Sequence, residues 1–302
     1  MNLIQSFAAK LDVAALLRTR LVILGLAIAV ATGTLQARLQ AATLYAASAA
    51  GAAGTLYTLD ASNGAVLTTV GALNDVAGTN YPITGLAFRP TTGVLYGSTG
   101  NNPASTGARL VTINPATAEV AVIGSFNAGP VNSSGNPATM ADLAFDAAGN
   151  LYGVGSIGGP QLYSINTATG QATVIGSTGF TSTTGGGLAI NSAGTIYGTP
   201  TASRFGTYSG AGTYTDIANP AKPTGGGAYG ALEFSGSVLY GLNVGSGSPP
   251  PTYLVTIDPA TGAVTPLGPS ANSLDAIAFQ VPEPGGLALL GLGLLALKLR
   301  RR

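Results

Sequence analysis

Apolar positions fall into two contrasting patterns along this chain of 302 residues. Two unbroken apolar runs, Leu21 to Val30 and Gly285 to Leu297, lie close to the ends. Between residues 42 and 281 every apolar run is short, and many alternate as Leu162-Tyr163-Ser164-Ile165 does. A period of two sets one face of a strand against a core and the other toward water. β-Branched and aromatic residues fill these runs, while Gly, Asn, Asp and Pro separate them. No segment of this stretch carries a helical period. The pattern predicts an all-β body over residues 42–280, preceded by a segment 1–41 and followed by a tail 281–302.

Comparison of the body with itself reveals a repeat. One phrase occurs five times, as Gly85-Leu86-Ala87-Phe88, Asp142-Leu143-Ala144-Phe145, Gly187-Leu188-Ala189-Ile190, Ala231-Leu232-Glu233-Phe234 and Ala276-Ile277-Ala278-Phe279. After each of the first four comes a turn and then Leu/Ile-Tyr-Gly, at Leu95, Leu151, Ile196 and Leu239. A third run begins at Leu56, Leu110, Leu162 and Leu254 and ends in Asp60, Asn114, Asn166 and Asp258. Turns such as Pro259-Ala260-Thr261-Gly262 follow, suiting Asx side chains that cap their own backbone and glycines that accept positive φ. The copy over 205–217 has the length but lacks that Asx turn.

Four strands per unit of roughly 45 residues is the signature of a β-propeller. The fifth copy stops after its first strand, at Phe279, and the body begins with a lone Leu44-Tyr45, the strand that copy lacks. The expected fold is therefore a five-bladed β-propeller whose ring is closed by the N- and C-terminal strands. The repeated tyrosines are expected to pack between blades. Gly185-Gly186-Gly187 and Gly225-Gly226-Gly227 precede inner strands and are expected to permit close backbone approach, since no helix follows to make a phosphate cradle.

Composition narrows the chemistry. The chain has no Cys and no His, which removes Cys- and His-based catalysis and the metal sites those residues build. Only four cations stand against nine acids between residues 42 and 281, so the body is mildly acidic and no nucleic acid is expected as a partner. Rings of five blades include glycosidases of the arabinanase type, so carboxylates in the channel are the natural candidates. Asp142 and Asp275 sit at or just before inner strands; Glu233 replaces the Ala of the other copies and points into the channel if Leu232 and Phe234 face the core. Asp146, which follows the phrase, is a fourth candidate. With no Trp to form a sugar platform, the reading favoured is a non-enzymatic propeller that binds polysaccharide or protein, with Asp142, Glu233 and Asp275 as candidate ligand contacts; a glycosidase-like enzyme using channel carboxylates and a structural matrix protein are the alternatives. No cofactor and no metal is expected, and no dense Asp-x-Asp run suggests a calcium loop.

The ends read as addresses. Lys10, Arg18 and Arg20 precede the first apolar run, and Ala37 or Ala41 offers a small-residue cleavage site, the arrangement of a secretory signal helix served by the Sec machinery. The second run follows Val281-Pro282-Glu283-Pro284 and ends in Arg300-Arg301-Arg302. As a helix it would reach about 20 Å, short of the ~30 Å hydrocarbon core, so it makes a marginal transmembrane helix with its arginines held cytoplasmic. Triplet, apolar run and terminal arginines together resemble the PEP-CTERM sorting signal of Gram-negative, exopolysaccharide-producing bacteria. The resemblance implies an exosortase, a membrane cysteine protease-transpeptidase, as partner. Pro282, Glu283 and Pro284 would be recognised, and Arg300, Arg301 and Arg302 would stop transfer. It further implies export, a transient inner-membrane anchor and delivery to the envelope or outside, with an exopolysaccharide as a candidate partner there.

Overall fold

The computed structural model describes residues 42–49, 51–100, 107–126, 139–155, 161–180 and 185–280. The expected signal helix, the transmembrane helix, the Pro282-Glu283-Pro284 triplet and the terminal arginines lie outside the described residues. Among the described residues the alternating sequence becomes twenty strands. The first blade holds β1 (Thr43–Ser48), β2 (Thr55–Leu59) and β3 (Val66–Ala72). The second runs β4 (Ile83–Phe88), β5 (Leu95–Thr99), β6 (Arg109–Ile113), β7 (Val120–Ser125), and the third β8 (Met140–Phe145), β9 (Leu151–Gly155), β10 (Gln161–Ile165), β11 (Ala172–Ser177). The fourth has β12 (Leu188–Ile190), β13 (Ile196–Gly198), β14 (Phe205–Tyr208) and β15 (Tyr214–Ala218). The fifth has β16 (Ala228–Ser235), β17 (Val238–Val244), β18 (Thr252–Ile257) and β19 (Val264–Pro269). The last strand, β20 (Leu274–Gln280), returns to the first blade and pairs antiparallel with β1, from Thr43 opposite Gln280 to Ser48 opposite Leu274. Five four-stranded sheets result, with β20, β4, β8, β12 and β16 innermost and adjacent around the ring.

The core is not one mass but five, each shared by two neighbouring blades. The second residue of the phrase, Leu86, Leu143, Leu188, Leu232 or Ile277, is fully buried in every copy. Each such side chain contributes about 1.5–3 kcal/mol by leaving water. The repeated tyrosines pack as expected. Tyr45, Tyr96, Tyr197 and Tyr240 meet Phe88, Phe145, Phe234 and Phe279 of the following blade at ring separations of 5.5, 5.3, 5.6 and 4.9 Å. Tyr152 joins the same interblade cluster as Ile190. The glycine after Tyr96, Tyr152, Tyr197 and Tyr240 makes room for a third-strand side chain; a Cβ on Gly153 would stand 2.8 Å from Cδ1 of Ile165.

The Asx turns perform two tasks. Asp60, Asn114, Asn166 and Asp258 each accept the backbone N–H two residues on, at 2.8–2.9 Å. In the divergent fourth copy the hydroxyl of Ser209 takes over, accepting from the N–H of Ala211 at 3.3 Å. The turns then seat against glycines on the outer strand of the preceding blade: a Cβ on Gly124 would fall 2.2 Å from the carbonyl oxygen of Thr169, and on Gly268 2.1 Å from that of Asn63. Residues repeated in every blade are thus committed to the frame.

Candidate functional site

Each inner strand is also the edge of its blade, so its axis-facing amides have no ladder partner and must be satisfied otherwise. Asp142 does this for three blades. One carboxylate oxygen accepts from the N–H of Leu143 (2.9 Å), the other from the N–H groups of Leu188 (2.9 Å) and Leu232 (3.1 Å). It is fully buried. Glu233, half-buried on β16, accepts from the backbone N–H of Phe279 on β20 and lies close enough to Asp142 for their charges to interact. Two of the three carboxylates predicted for the channel therefore stand together inside it, tied to strand backbone.

The third stands apart, at the mouth. The ladders slip by one residue between Ile83 and Gly85, Met140 and Asp142, Tyr229 and Ala231, and opposite Ala47 and Ser48 on β1. Thr84, Ala141, Gly230 and Asp275 are the residues left over at these β-bulges, and Gly186 holds the matching place before β12. A bulge re-aims the extra side chain. All five line a funnel of about 500 Å3, and Asp275 is the one charged residue among its described lining residues. The crowding of this ring is visible at its glycines. A Cβ on Gly186 would meet Cβ of Ala141 at 2.4 Å, and one on Gly230 would meet Oδ1 of Asp275 at 2.5 Å. Gly230 thus makes the place in which the Asp275 carboxylate rests. Thr84 braces the ring by donating from Oγ1 to the carbonyl of Met140 on the next blade (2.7 Å). No hydrogen bond or ion pair from the described residues reaches the Asp275 carboxylate.

Sequence reasoning placed Asp275 near the axis but missed the ring it belongs to. The signal was present: aligning the repeats one residue upstream of the phrase gives Thr84, Ala141, Gly186, Gly230 and Asp275, four small residues and one acid. Asp146, by contrast, is a turn residue. Its carboxylate accepts from the N–H and side-chain amide of Asn150, both at 2.8 Å. Among the described residues no cluster of three or more His, Cys, Asp or Glu could hold a metal ion.

Burial sets the protonation of the channel. It lifts Asp142 well above the ordinary carboxylate range, with Glu233 adding to the rise against three backbone donors. It lifts Glu233 to about 8 and Asp275 to about 7. Raised carboxylates hold protons that the unfolded chain releases, so between about pH 4 and pH 8 the folded state binds more protons and stability falls as pH rises. The turn acids act oppositely. Hydrogen bonds from Ser62 to Asp60, and from Thr79 to Asp75, lower both, so their contribution is present at neutral pH and is lost on acidification below the ordinary range. Calorimetric scans across pH 4–8 should show the melting temperature highest near the acid end and lower at pH 8 by roughly 5–10 °C, after discounting for the partial exposure of Glu233 and Asp275. A flat or rising profile contradicts the buried channel acids.

Below the funnel the strands run to the opposite end of the ring, where Gln280 pairs with Thr43. From there the chain continues into its last segment. Residues 280–302 match the PEP-CTERM protein-sorting motif. The tail is a PEP-CTERM sorting signal. It implies export and membrane-associated sorting by an exosortase-type system, as the triplet and the terminal arginines led one to expect. The PEP-CTERM tail is joined to the body directly at the last residue of β20, about five residues and roughly 17 Å along that strand from Asp275.

No curated protein matches the sequence. Several solved structures resemble the body. A protein of unknown function from Bacteroides thetaiotaomicron is 12% identical with a TM-score of 0.42, covering 74% of this chain; the chain spans 64% of it, less than two thirds. One from Bacteroides caccae is 10% identical with a TM-score of 0.44, over 80% of this chain and 99% of that one. A puromycin hydrolase is 14% identical with a TM-score of 0.40, over 76% of this chain and 36% of that one. Likeness at this level carries nothing about activity.

Proposed function

We propose that this PEP-CTERM protein is an exported, non-enzymatic propeller that is delivered to the cell envelope or outside and binds a polysaccharide or a protein there through its funnel. The observation behind this reading is the division of labour among the three channel acids. Hydrolysis of a glycosidic bond by two carboxylates needs both free and facing one substrate. Asp142 and Glu233 are engaged with strand amides, which leaves Asp275 alone at the mouth. A lone half-buried carboxylate in a ring of small residues suits recognition, by accepting hydrogen bonds from hydroxyl or amino groups that enter the funnel.

The full chain in mild detergent, incubated with a panel of polysaccharides and with envelope proteins, tests this. Retention by one of them that Asp275→Ala weakens about tenfold or more is the expected result. The competing reading is a carbohydrate-active enzyme, favoured by the proton that Glu233 and Asp275 hold near neutrality, as a general acid would. Turnover of any polysaccharide that Glu233→Gln abolishes would establish the enzyme and end the binding proposal.

A further inference from the structure

The geometry points to a second ligand site, a groove between the second and third blades that takes a carboxylate-bearing sugar unit, a uronate, on Arg89. The groove measures about 570 Å3 and is lined by Arg89, Tyr152, Ser164, Asn166, Gln171 and Thr173, among others. It lies past the C-terminal end of β4, at the opposite end of the blades from the funnel, and does not depend on Asp275.

Arg89 breaks the repeat where the frame does not need it broken. The residue closing the phrase is followed by Asp146 in the third blade and Asn191 in the fourth. Asp146 accepts from the N–H of Asn150 at 2.8 Å, and Asn191 from those of Ala193 and Thr195 at 3.0 and 2.8 Å. Arginine has no acceptor and cannot cap its own turn. Its side chain instead crosses to the third blade, where a Cβ on Gly149 would stand 3.3 Å from Nε. That Nε is buried with no acceptor among the described residues. Arg204 pairs with Asp216 at 2.8 Å, but no carboxylate of the described residues pairs with Arg89. Asp146, the acid of the facing turn, is engaged by the Asn150 side chain and by the Tyr152 hydroxyl.

These features define the ligand's chemistry. A buried guanidinium donor without an acceptor calls for an oxyanion, and its fork matches a carboxylate in two parallel hydrogen bonds. One positive charge in an acidic body suits a monoanion and disfavours a doubly charged phosphate. Hydroxyl and amide side chains along the rest of the groove suit the hydroxyl groups of a sugar, and the volume is that of a small-ligand site.

The test uses the full chain in mild detergent with three probes, trigalacturonate, its methyl ester and inorganic phosphate, followed by calorimetric titration. Trigalacturonate is expected to bind, with the ester weaker by about tenfold and phosphate failing to compete. Arg89→Asn should restore the turn cap seen at Asn191, keep the wild-type melting temperature and weaken trigalacturonate about tenfold. No binding of trigalacturonate, equal binding of the ester, competition by phosphate at the same concentration, or undiminished binding by Arg89→Asn overturns the site.

Discussion

Asp142→Ala should lower the melting temperature by roughly 10 °C, the largest effect of any single substitution in the channel. Its carboxylate satisfies backbone amides of β8, β12 and β16, the inner strands of three blades. Removing it leaves those N–H groups buried and unpaired, at ~1–3 kcal/mol each, and cancels hydrogen bonds to a charged or strongly polar acceptor. A net loss of ~3–5 kcal/mol follows, and a domain of this size loses about 2–4 °C per kcal/mol. Asp142→Asn keeps the volume and one acceptor oxygen but turns an NH2 group toward at least one donor, so it should fall between wild type and alanine. Because Asp142 is itself one of the raised carboxylates, either variant should also flatten the decline of stability between pH 4 and pH 8. A melting temperature unchanged in Asp142→Ala would mean that the axis-facing amides find satisfaction elsewhere, and that the ring is not pinned from its centre.

The frame of this protein was legible because it is repetitive. Strand alternation, the recurring Leu-Tyr-Gly and the Asx turns each occur several times, so packing and turn chemistry could be separated from everything else. Even the closure followed from an inventory of strands, since a first strand at Ala276–Phe279 and an orphan second strand at Leu44–Tyr45 complete one blade. The fourth copy hid its turn because Ser209 replaces the Asx, a substitution of one acceptor oxygen by another.

The site was less legible, for a physical reason. Side-chain alternation tells which face a residue takes only while the ladder is regular. At the β-bulges that lead into the phrase the register slips, and Thr84, Ala141, Gly230 and Asp275 face the axis because of that slip. Asp142 posed the reverse difficulty. Its position at a strand start looked available to a ligand, whereas the amides of Leu188 and Leu232, 46 and 90 residues further along the chain, occupy it. Arg89 was passed over because a lone arginine beside a turn is ordinary on a surface. Only its buried Nε and the capping role of Asp146 and Asn191 at the same place mark it out.

The role of the tail carries the second large effect. Replacing Pro282, Glu283 and Pro284 together by alanine changes no described strand, since the last described residue is Gln280 at the end of β20. The folded ring and its melting temperature should be unaffected. Sorting should not be. A PEP-CTERM tail implies membrane-associated sorting by an exosortase-type system, and we expect release of the chain from the membrane to require processing at the triplet. Cleavage there would release the ring with almost no stalk, because only Val281 separates the triplet from Gln280. The decisive measurement is the intact mass and the fractionation of wild type and of this triple variant, each expressed in an exosortase-bearing host and in the same host without its exosortase. Wild type should lose the mass of its tail and leave the membrane fraction only where the exosortase is present, and the variant should stay full-length and membrane-bound in both. Equal processing of the two proteins, or processing without the exosortase, would contradict the sorting role of the tail.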